Sequence, residues 1–286
     1  KTDDCDAYAA KAKAYRNLAQ EIKEEFQTRY VDADGDLKQK SQTAYLLALK
    51  LDLLPTEEAR KKGLETLTRK IAGNGNRLST GFVGTAILNQ TLSQFGESDT
   101  AYNLLLQRGN PSWLYSIDQG ATTIWERWDS YTKEKGFGPV SMNSFNHYSY
   151  GAVSEWMYRT RGGIDIDETR PGFKHIVLQP VPDNRPEIPA GQERINWVNA
   201  SFPSCYGDIK SSWKKENDGA VSYQISIPAN TTATLHLQLP TLDYVVEESG
   251  KAAVKAEGVS SITFMNGKAV LELQSGSYQF VVKKGK

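Results

Sequence analysis

Hydrophobic positions along this chain change their period once, near residue 163. Before that point they recur at helical spacing. Tyr8, Ala12, Tyr15, Leu18, Ala19 and Ile22 follow the stripe of an amphipathic helix within AYAAKAKAYRNLAQEIKEEFQTRY. VDADGD breaks that helix, and SQTAYLLALKLDLL, apolar nearly all round, predicts a buried one. Pro55 opens the next, where Thr56, Glu57 and Glu58 suit a first turn. GNGN at 73–76 is a turn. STGFVGTAILNQTLSQF and SDTAYNLLLQR predict two further helices, separated by Gly96 and closed by Gly109, Asn110 and Pro111. After a loop around residues 130–142, SFNHYSYGAVSEWMYR predicts a last helix.

This succession reads as helical hairpins with a buried apolar layer and an amphipathic outer layer. It fits an α/α toroid better than a four-helix bundle, which could not absorb so many helices. No strict residue repeat is visible. From Gly163 the period becomes two. Val221, Tyr223, Ile225 and Ile227 alternate with polar residues, as do Leu235, Leu237 and Leu239, and then Tyr278, Phe280 and Val282. ENDG, PANT and MNGK supply turns between them, so a half-buried antiparallel β-sandwich is expected. The fold class is therefore multidomain, α then β, with domains over residues 1–162 and 163–286. They join at the glycine- and charge-rich RGGIDIDETRPG.

Charge narrows the partners. Lys+Arg and Asp+Glu both number 34, which leaves no global field to attract nucleic acid or an anionic membrane. No apolar run approaches the roughly 18 residues of a membrane-spanning helix. Neither nucleic acid nor membrane is expected as a partner. The opening KTDDCDAYAAKAK lacks an initiator methionine and a signal-peptide core, and reads as cut from something longer. Cys5 and Cys205 are the only cysteines; they predict neither a disulfide framework nor a zinc site, and leave the compartment undecided.

Chemistry concentrates in ATTIWERWDS at 121–130, where Trp125 and Trp128 flank Glu126. A carboxyl group beside indole rings is partly desolvated, which suits it to acid or base work near neutrality. Flat indole faces also stack on carbohydrate C–H faces. The plainer alternative pairs Glu126 with Arg127 on a helix face and packs Trp125 in the core. Downstream, NSFNHYSYG gathers Asn143, Asn146, His147 and Tyr148 at the start of the predicted last helix, where Asn143 or Ser144 could simply cap. His147 sits in the densest polar and aromatic surroundings of the three histidines; His175 and His236 lie in strand patterns and read as structural. Asp32, Asp34 and Asp36 of DADGD suggest a calcium loop, but Thr43 stands where its closing glutamate belongs, so a solvated turn is expected. Asn89, Asn199 and Asn230 begin glycosylation sequons, a pattern frequent by chance. P-loop, GxGxxG, GxSxG and HExxH motifs are missing from the sequence.

The run TGFVGTAILNQTLSQFGESDTAYNLLLQRGNPSWLYSIDQGATTIWERWDS, followed by MNSFNHYSYGAVSEWMYR, closely resembles the bacterial α-L-rhamnosidases. PGFKHIVLQPVP and YGDIKSSWKKENDGAVSYQISIPANTTATLHLQLP resemble the closing sandwich of that family. The similarity is strong over about residues 78–240. It implies an inverting glycoside hydrolase with a six-hairpin α/α barrel followed by a β-sandwich. It also implies Glu126 as the general base that activates water and His147 as a contact to the sugar, with Trp125 and Trp128 shaping the pocket wall. No metal or organic cofactor is required by such a mechanism.

An inverting glycosidase needs a second carboxyl group as general acid. In the family it lies in an Asp-, Arg- and Trp-rich block of the earlier half of the barrel, and nothing in residues 1–77 matches that block. Asp3, Asp4 and Asp6 lack its Arg and Trp companions. The helices also fall short of a closed ring of six hairpins. The chain thus resembles the second half of an (α/α)6 toroid plus the sandwich. The expected substrate is an L-rhamnose-containing oligosaccharide or glycoside. The expected protein partner is the missing N-terminal half of the barrel, or a second copy covering the same exposed apolar faces. The alternatives are an α/α-barrel hydrolase of another sugar such as L-fucose, or a non-catalytic carbohydrate-binding or assembly module.

Overall fold

The computed structural model describes residues 2–241 and 243–285, except the side chains of residues 2–4. Asp3 and Asp4 therefore fall outside the described side chains. The chain packs as two compact units, residues 1–151 and 152–286.

The first unit is helical: α1 (Thr2–Tyr30), α2 (Gln42–Lys50), α3 (Glu57–Gly73), α4 (Phe82–Gln94), α5 (Ser98–Leu105) and α6 (Trp113–Asp118). Three of these begin on a hydroxyl cap, in which the side chains of Ser41, Thr56 and Ser112 accept from the amides of Ala44, Ala59 and Tyr115. The sixth helix, WLYSID, is too short for periodicity to reveal, and only its cap marks it. α2 is the buried core element, packed by α3 and α4, and Tyr45, Leu46, Ala48 and Leu49 are enclosed with Leu67, Ile71, Leu88 and Leu92. α2 and α4 approach closely because Gly84 has no side chain: a Cβ there would lie 2.5 Å from the Thr43 hydroxyl.

DADGD is a turn held by its own first carboxylate. Asp32 Oδ1 accepts from the amides of Asp34 and Asp36, each at 3.0 Å. The phenol of Tyr45 donates to Asp36 at 2.7 Å, and burial together with that carboxylate raises the Tyr45 pKa. Asn89 is buried in α4 and donates to the Ala101 carbonyl at 3.2 Å, so it is no glycan acceptor in the folded chain.

α1 carries the expected apolar stripe, but among the described residues nothing covers most of it. Tyr8 and Tyr15 are 70% and 71% exposed, and Leu18 and Ile22 remain exposed below them.

The predicted last helix requires correction. Residues 143–148 are not helical; a 3-10 turn spans Ser149–Ala152, and only then does α7 (Val153–Trp156) begin, continuing as a π-helical turn over Met157–Arg161. The backbone of residues 144–147 bonds across the chain to residues 124–126 instead of along its own axis, which removes the bonds a helix would need. Accordingly, neither Asn143 nor Ser144 caps the start of that helix, whose N-cap is Ala152.

The second unit is a sandwich of two sheets. A small hairpin in the first unit takes the labels β1 (Tyr131–Thr132) and β2 (Gly136–Phe137), so the sandwich strands run from β3. They are β3 (Ile164–Ile166), β4 (His175–Leu178), β5 (Trp197–Ser204), β6 (Gly207–Lys215), β7 (Val221–Ile227), β8 (Thr232–Gln238), β9 (Tyr244–Glu248), β10 (Lys251–Ala252), β11 (Val259–Met265), β12 (Lys268–Leu273) and β13 (Gly276–Lys284). One sheet has the order β10-β9-β13-β7-β6-β5, the other β11-β12-β8-β4-β3. Every pairing is antiparallel except β4 with β8, which is parallel. Inward residues of both sheets, among them Trp213, Tyr223, Ile225, Leu235, Leu271 and Phe280, form one core. Gly163 must be glycine: its φ is +74°, and a Cβ would lie 2.1 Å from the nitrogen of Pro180.

A buried charge cluster pins the long connection between β4 and β5. Asp183 and Arg185 are fully enclosed and meet as a bidentate fork at 2.9 and 2.8 Å. The Ile195 amide donates to the same carboxylate at 3.0 Å, and Lys215 donates to the Asp183 carbonyl at 2.5 Å. Burial pushes the Asp183 carboxyl up, yet Arg185 and the Ile195 amide hold it below the ordinary range. Removing the carboxylate would leave the guanidinium buried without its counter-charge, held only by neutral acceptors such as Gln192 and the Glu193 carbonyl. Asp183→Ala should therefore lower sandwich stability by about 3–5 kcal/mol, read by urea denaturation.

His175 is a structural histidine, its ring nitrogens 2.7 and 2.9 Å from the hydroxyls of Thr232 and Thr234. Burial, then the charge of Arg170, lowers its pKa below 6.5, and burial also lowers that of His236. Below pH 6.5 the unfolded chain thus binds protons that the folded chain refuses, so stability falls as pH drops from that value toward the lowered folded pKa. His175→Gln, which keeps a donor and an acceptor, should flatten that decline in thermal melts taken between neutrality and about pH 5.

Candidate active site

Two extended segments of the first unit lie side by side and bring the two sequence blocks together. The amide of Glu126 donates to the Ser144 carbonyl at 2.9 Å, and the amide of His147 donates to the Ile124 carbonyl at 2.8 Å. The Thr123 hydroxyl donates to the Phe145 carbonyl between them. Glu126 and His147, which lie far apart in sequence, therefore stand on one short paired strip. The Ile124 side chain lies against the backbone of Gly151, where a Cβ would come to 3.2 Å.

The Glu126 carboxylate is anchored by one oxygen. Its Oε2 accepts from the Ser144 amide at 2.8 Å; its other oxygen has no protein partner among the described residues, and the side chain is half-buried. The alternative ion pair with Arg127 is not made. Arg127 Nε lies 3.2 Å from Asp129 instead, and residue 126 belongs to no helix. A carboxylate held at one oxygen and open at the other can accept a proton from water in a fixed direction.

An aromatic stack supports this strip from below. Trp113 meets Trp128 edge-on at 5.4 Å, Trp128 lies flat on Tyr150 at 3.9 Å, and Phe82 packs on Tyr150 at 5.2 Å. Phe82, the first residue of α4, then stacks on the His147 ring at 4.6 Å. Trp113 also donates its indole N–H to the Tyr150 carbonyl at 2.8 Å, and Ser116 donates to the Trp128 carbonyl at 2.7 Å. Burial raises the Tyr150 pKa; Arg127 opposes this, while Asp129 and Glu126 add to it, which puts the phenol within the field of the Glu126 carboxylate. Trp125 is buried and meets Phe145 edge-on at 5.3 Å.

The loop between the two blocks is tied by Asn143. Its amide donates to the carbonyls of Ser130 and Gly138 at 3.1 and 3.3 Å, and its own carbonyl oxygen is buried without a protein partner. Sequence reasoning named Trp125, Glu126, Trp128 and His147; the structure adds Phe82, Trp113, Ser144 and Tyr150 as their neighbours. Ser144 acts through its main chain, which composition cannot reveal. Tyr150 did carry a signal, in the aromatic density of FNHYSY. Among the described residues, no group of three or more His, Cys, Asp or Glu side chains could hold a metal ion.

Comparison with known proteins identifies the family. Residues 5–160 match the bacterial α-L-rhamnosidase six-hairpin glycosidase domain, and residues 163–252 match the bacterial α-L-rhamnosidase C-terminal domain. An α-L-rhamnosidase of Streptomyces avermitilis is 39% identical over 271 residues, covering 95% of this chain and 24% of the relative. One from Formosa agariphila is 39% identical over 254 residues, covering 85% and 25%. Among solved structures, the Streptomyces avermitilis enzyme complexed with L-rhamnose superposes with a TM-score of 0.82 at 38% identity, covering 95% of this chain and 24% of that one. The native enzyme of Aspergillus terreus gives 0.81 at 28% identity, covering 98% and 28%. The chain thus spans about a quarter of the length of the relatives it matches. Its helical region is part of a six-hairpin toroid, its β region is the closing sandwich, and the chain belongs to the bacterial α-L-rhamnosidase family.

Proposed function

We propose that this chain is the C-terminal part of a glycoside hydrolase that releases terminal α-L-rhamnose with inversion. The observation that carries the reading is the paired strip that holds the Glu126 carboxylate by one oxygen and ties His147 into the same two segments. Glu126 takes a proton from the attacking water, which adds to the anomeric carbon as the leaving oxygen departs from the opposite face. His147, fixed by Phe82, contacts the sugar, and Trp125 and Trp128 shape the wall behind it. The helical domain of residues 1–162 is then the later half of the catalytic toroid, and residues 163–286 are its sandwich.

The leaving oxygen needs a proton donor roughly 6.5–9.5 Å from the base. No part of residues 1–77 carries the family's acid block, so the acid comes from the upstream half of the barrel. The exposed stripe of α1 supports the same reading, since it offers that half an apolar face. The substrate is a glycoside or oligosaccharide bearing L-rhamnose.

The purified chain should show no turnover of an aryl α-L-rhamnoside, and activity should return when it is rejoined to an upstream half of the barrel. Wild-type rates from the 286-residue chain alone would refute this division of labour. In the rejoined enzyme, Glu126→Gln should lower kcat by about 10²–10⁴-fold while the circular dichroism spectrum is unchanged. His147→Ala should raise KM, and Phe82→Ala should reproduce a smaller part of that change because it frees the ring it stacks on.

A further inference from the structure

The solvent face of the six-stranded sheet has a composition that its fold does not require. Polar side chains are ordinary on the outer face of an antiparallel sheet. A bare indole is not. Trp197, on the edge strand β5, is 67% exposed, whereas Trp113, Trp125, Trp156 and Trp213 are all buried.

Register places a row of side chains beside it. Asn199 pairs with Ser212, Ser212 with Gln224, and Gln224 with Gln279, so four neighbouring strands contribute one polar group each. At strand spacings of about 4.8 Å this row runs for about 14 Å. Every member both donates and accepts hydrogen bonds. Ser212 donates to Asn199 at 2.9 Å, while the carboxamides of Gln224 and Gln279 bond to no protein group among the described residues. Along the neighbouring row, Trp197 pairs with Lys214, whose ammonium is 3.3 Å from Glu216, so that charge is locally balanced. On the other side of the row lies Lys210, and farther along the same face Lys283 is paired with Glu247 at 2.7 Å. A cleft of about 400 Å³ opens between Trp197, Asn199, Ser212, Lys214, Ser222 and Gln224.

We propose that this face is a docking surface for an extended, uncharged glycan chain. A pyranose ring has an apolar C–H face and a rim of hydroxyls that each donate and accept. Trp197 offers the flat apolar partner, and the amide and hydroxyl row offers the matching rim. A charged ligand would find no unpaired charge along the row itself. A length of four strands suits a chain of sugars and exceeds a single ring. The surface would retain a polymeric substrate while terminal sugars are removed elsewhere, and it does not depend on the role of Glu126.

The test is native electrophoresis of the 286-residue chain through gels containing unsulfated rhamnan, xylan or dextran, with a glycan-free gel as reference. The wild type should be retarded by at least one of them, and Glu126→Gln should be retarded equally. Trp197→Ala should weaken the apparent affinity about tenfold, the scale of one lost stacking contact. The Gln224→Ala, Gln279→Ala double variant should do the same. Ser212→Arg, which fills the row and leaves the indole in place, guards against loss of fold in the tryptophan variant. All these side chains face solvent, so melting temperatures should not change. Wild-type retardation in Trp197→Ala, or no retardation in any of the three gels, would overturn the proposal. So would a loss seen only in Glu126→Gln, which would place the binding at the candidate active site.

Discussion

The cross-chain pairing of residues 124–126 with residues 144–147 is the constraint on which the site depends. Two backbone hydrogen bonds and the carboxylate of Glu126 satisfy main-chain groups that no helix or sheet accounts for. One carboxylate oxygen completes a structural bond, and this fixes where the other one points. Support and the proposed chemistry thus share one side chain. A glutamate free on a surface loop would sample many rotamers and hold no water in a defined direction.

Beneath that strip, rigidity comes from rings. The stack from Trp113 through Trp128, Tyr150 and Phe82 to His147 spans α6, two loop segments and the start of α4. Aromatic pairs add specific geometry to their burial, and each ring here has a neighbour that limits its rotation. The helices carry the stack by simpler means: hydroxyl caps set their starts, and a glycine lets α2 and α4 approach. The sandwich is built on another principle, strict alternation across a shared core. Its least regular connection is secured by the fork between Asp183 and Arg185.

The two units also differ in how completely they cover themselves. The sandwich buries a core shared by both of its sheets, whereas α1 leaves tyrosines and aliphatic side chains in solvent. The exposed stripe has helical period, and the relatives that match this chain are about four times as long.

The order of helices, the change to strands near Gly163 and the indole-flanked glutamate were legible in the sequence. Each is a local property: apolar period follows from 3.6 or two residues per repeat, and turn residues report their own backbone. The start of the helix expected over residues 144–159 was misread because FNHYSYGAV has a helix-compatible pattern, and the bonds that overrule it come from residues about twenty positions earlier. The parallel pairing of β4 with β8, the Asp183–Arg185 fork and the partners of Glu126 are likewise decided by chain segments remote from one another. Local sequence determines which backbone shapes are inexpensive. Only the tertiary structure decides which distant groups meet, because burial forces every main-chain donor and acceptor to find a partner somewhere along the whole fold.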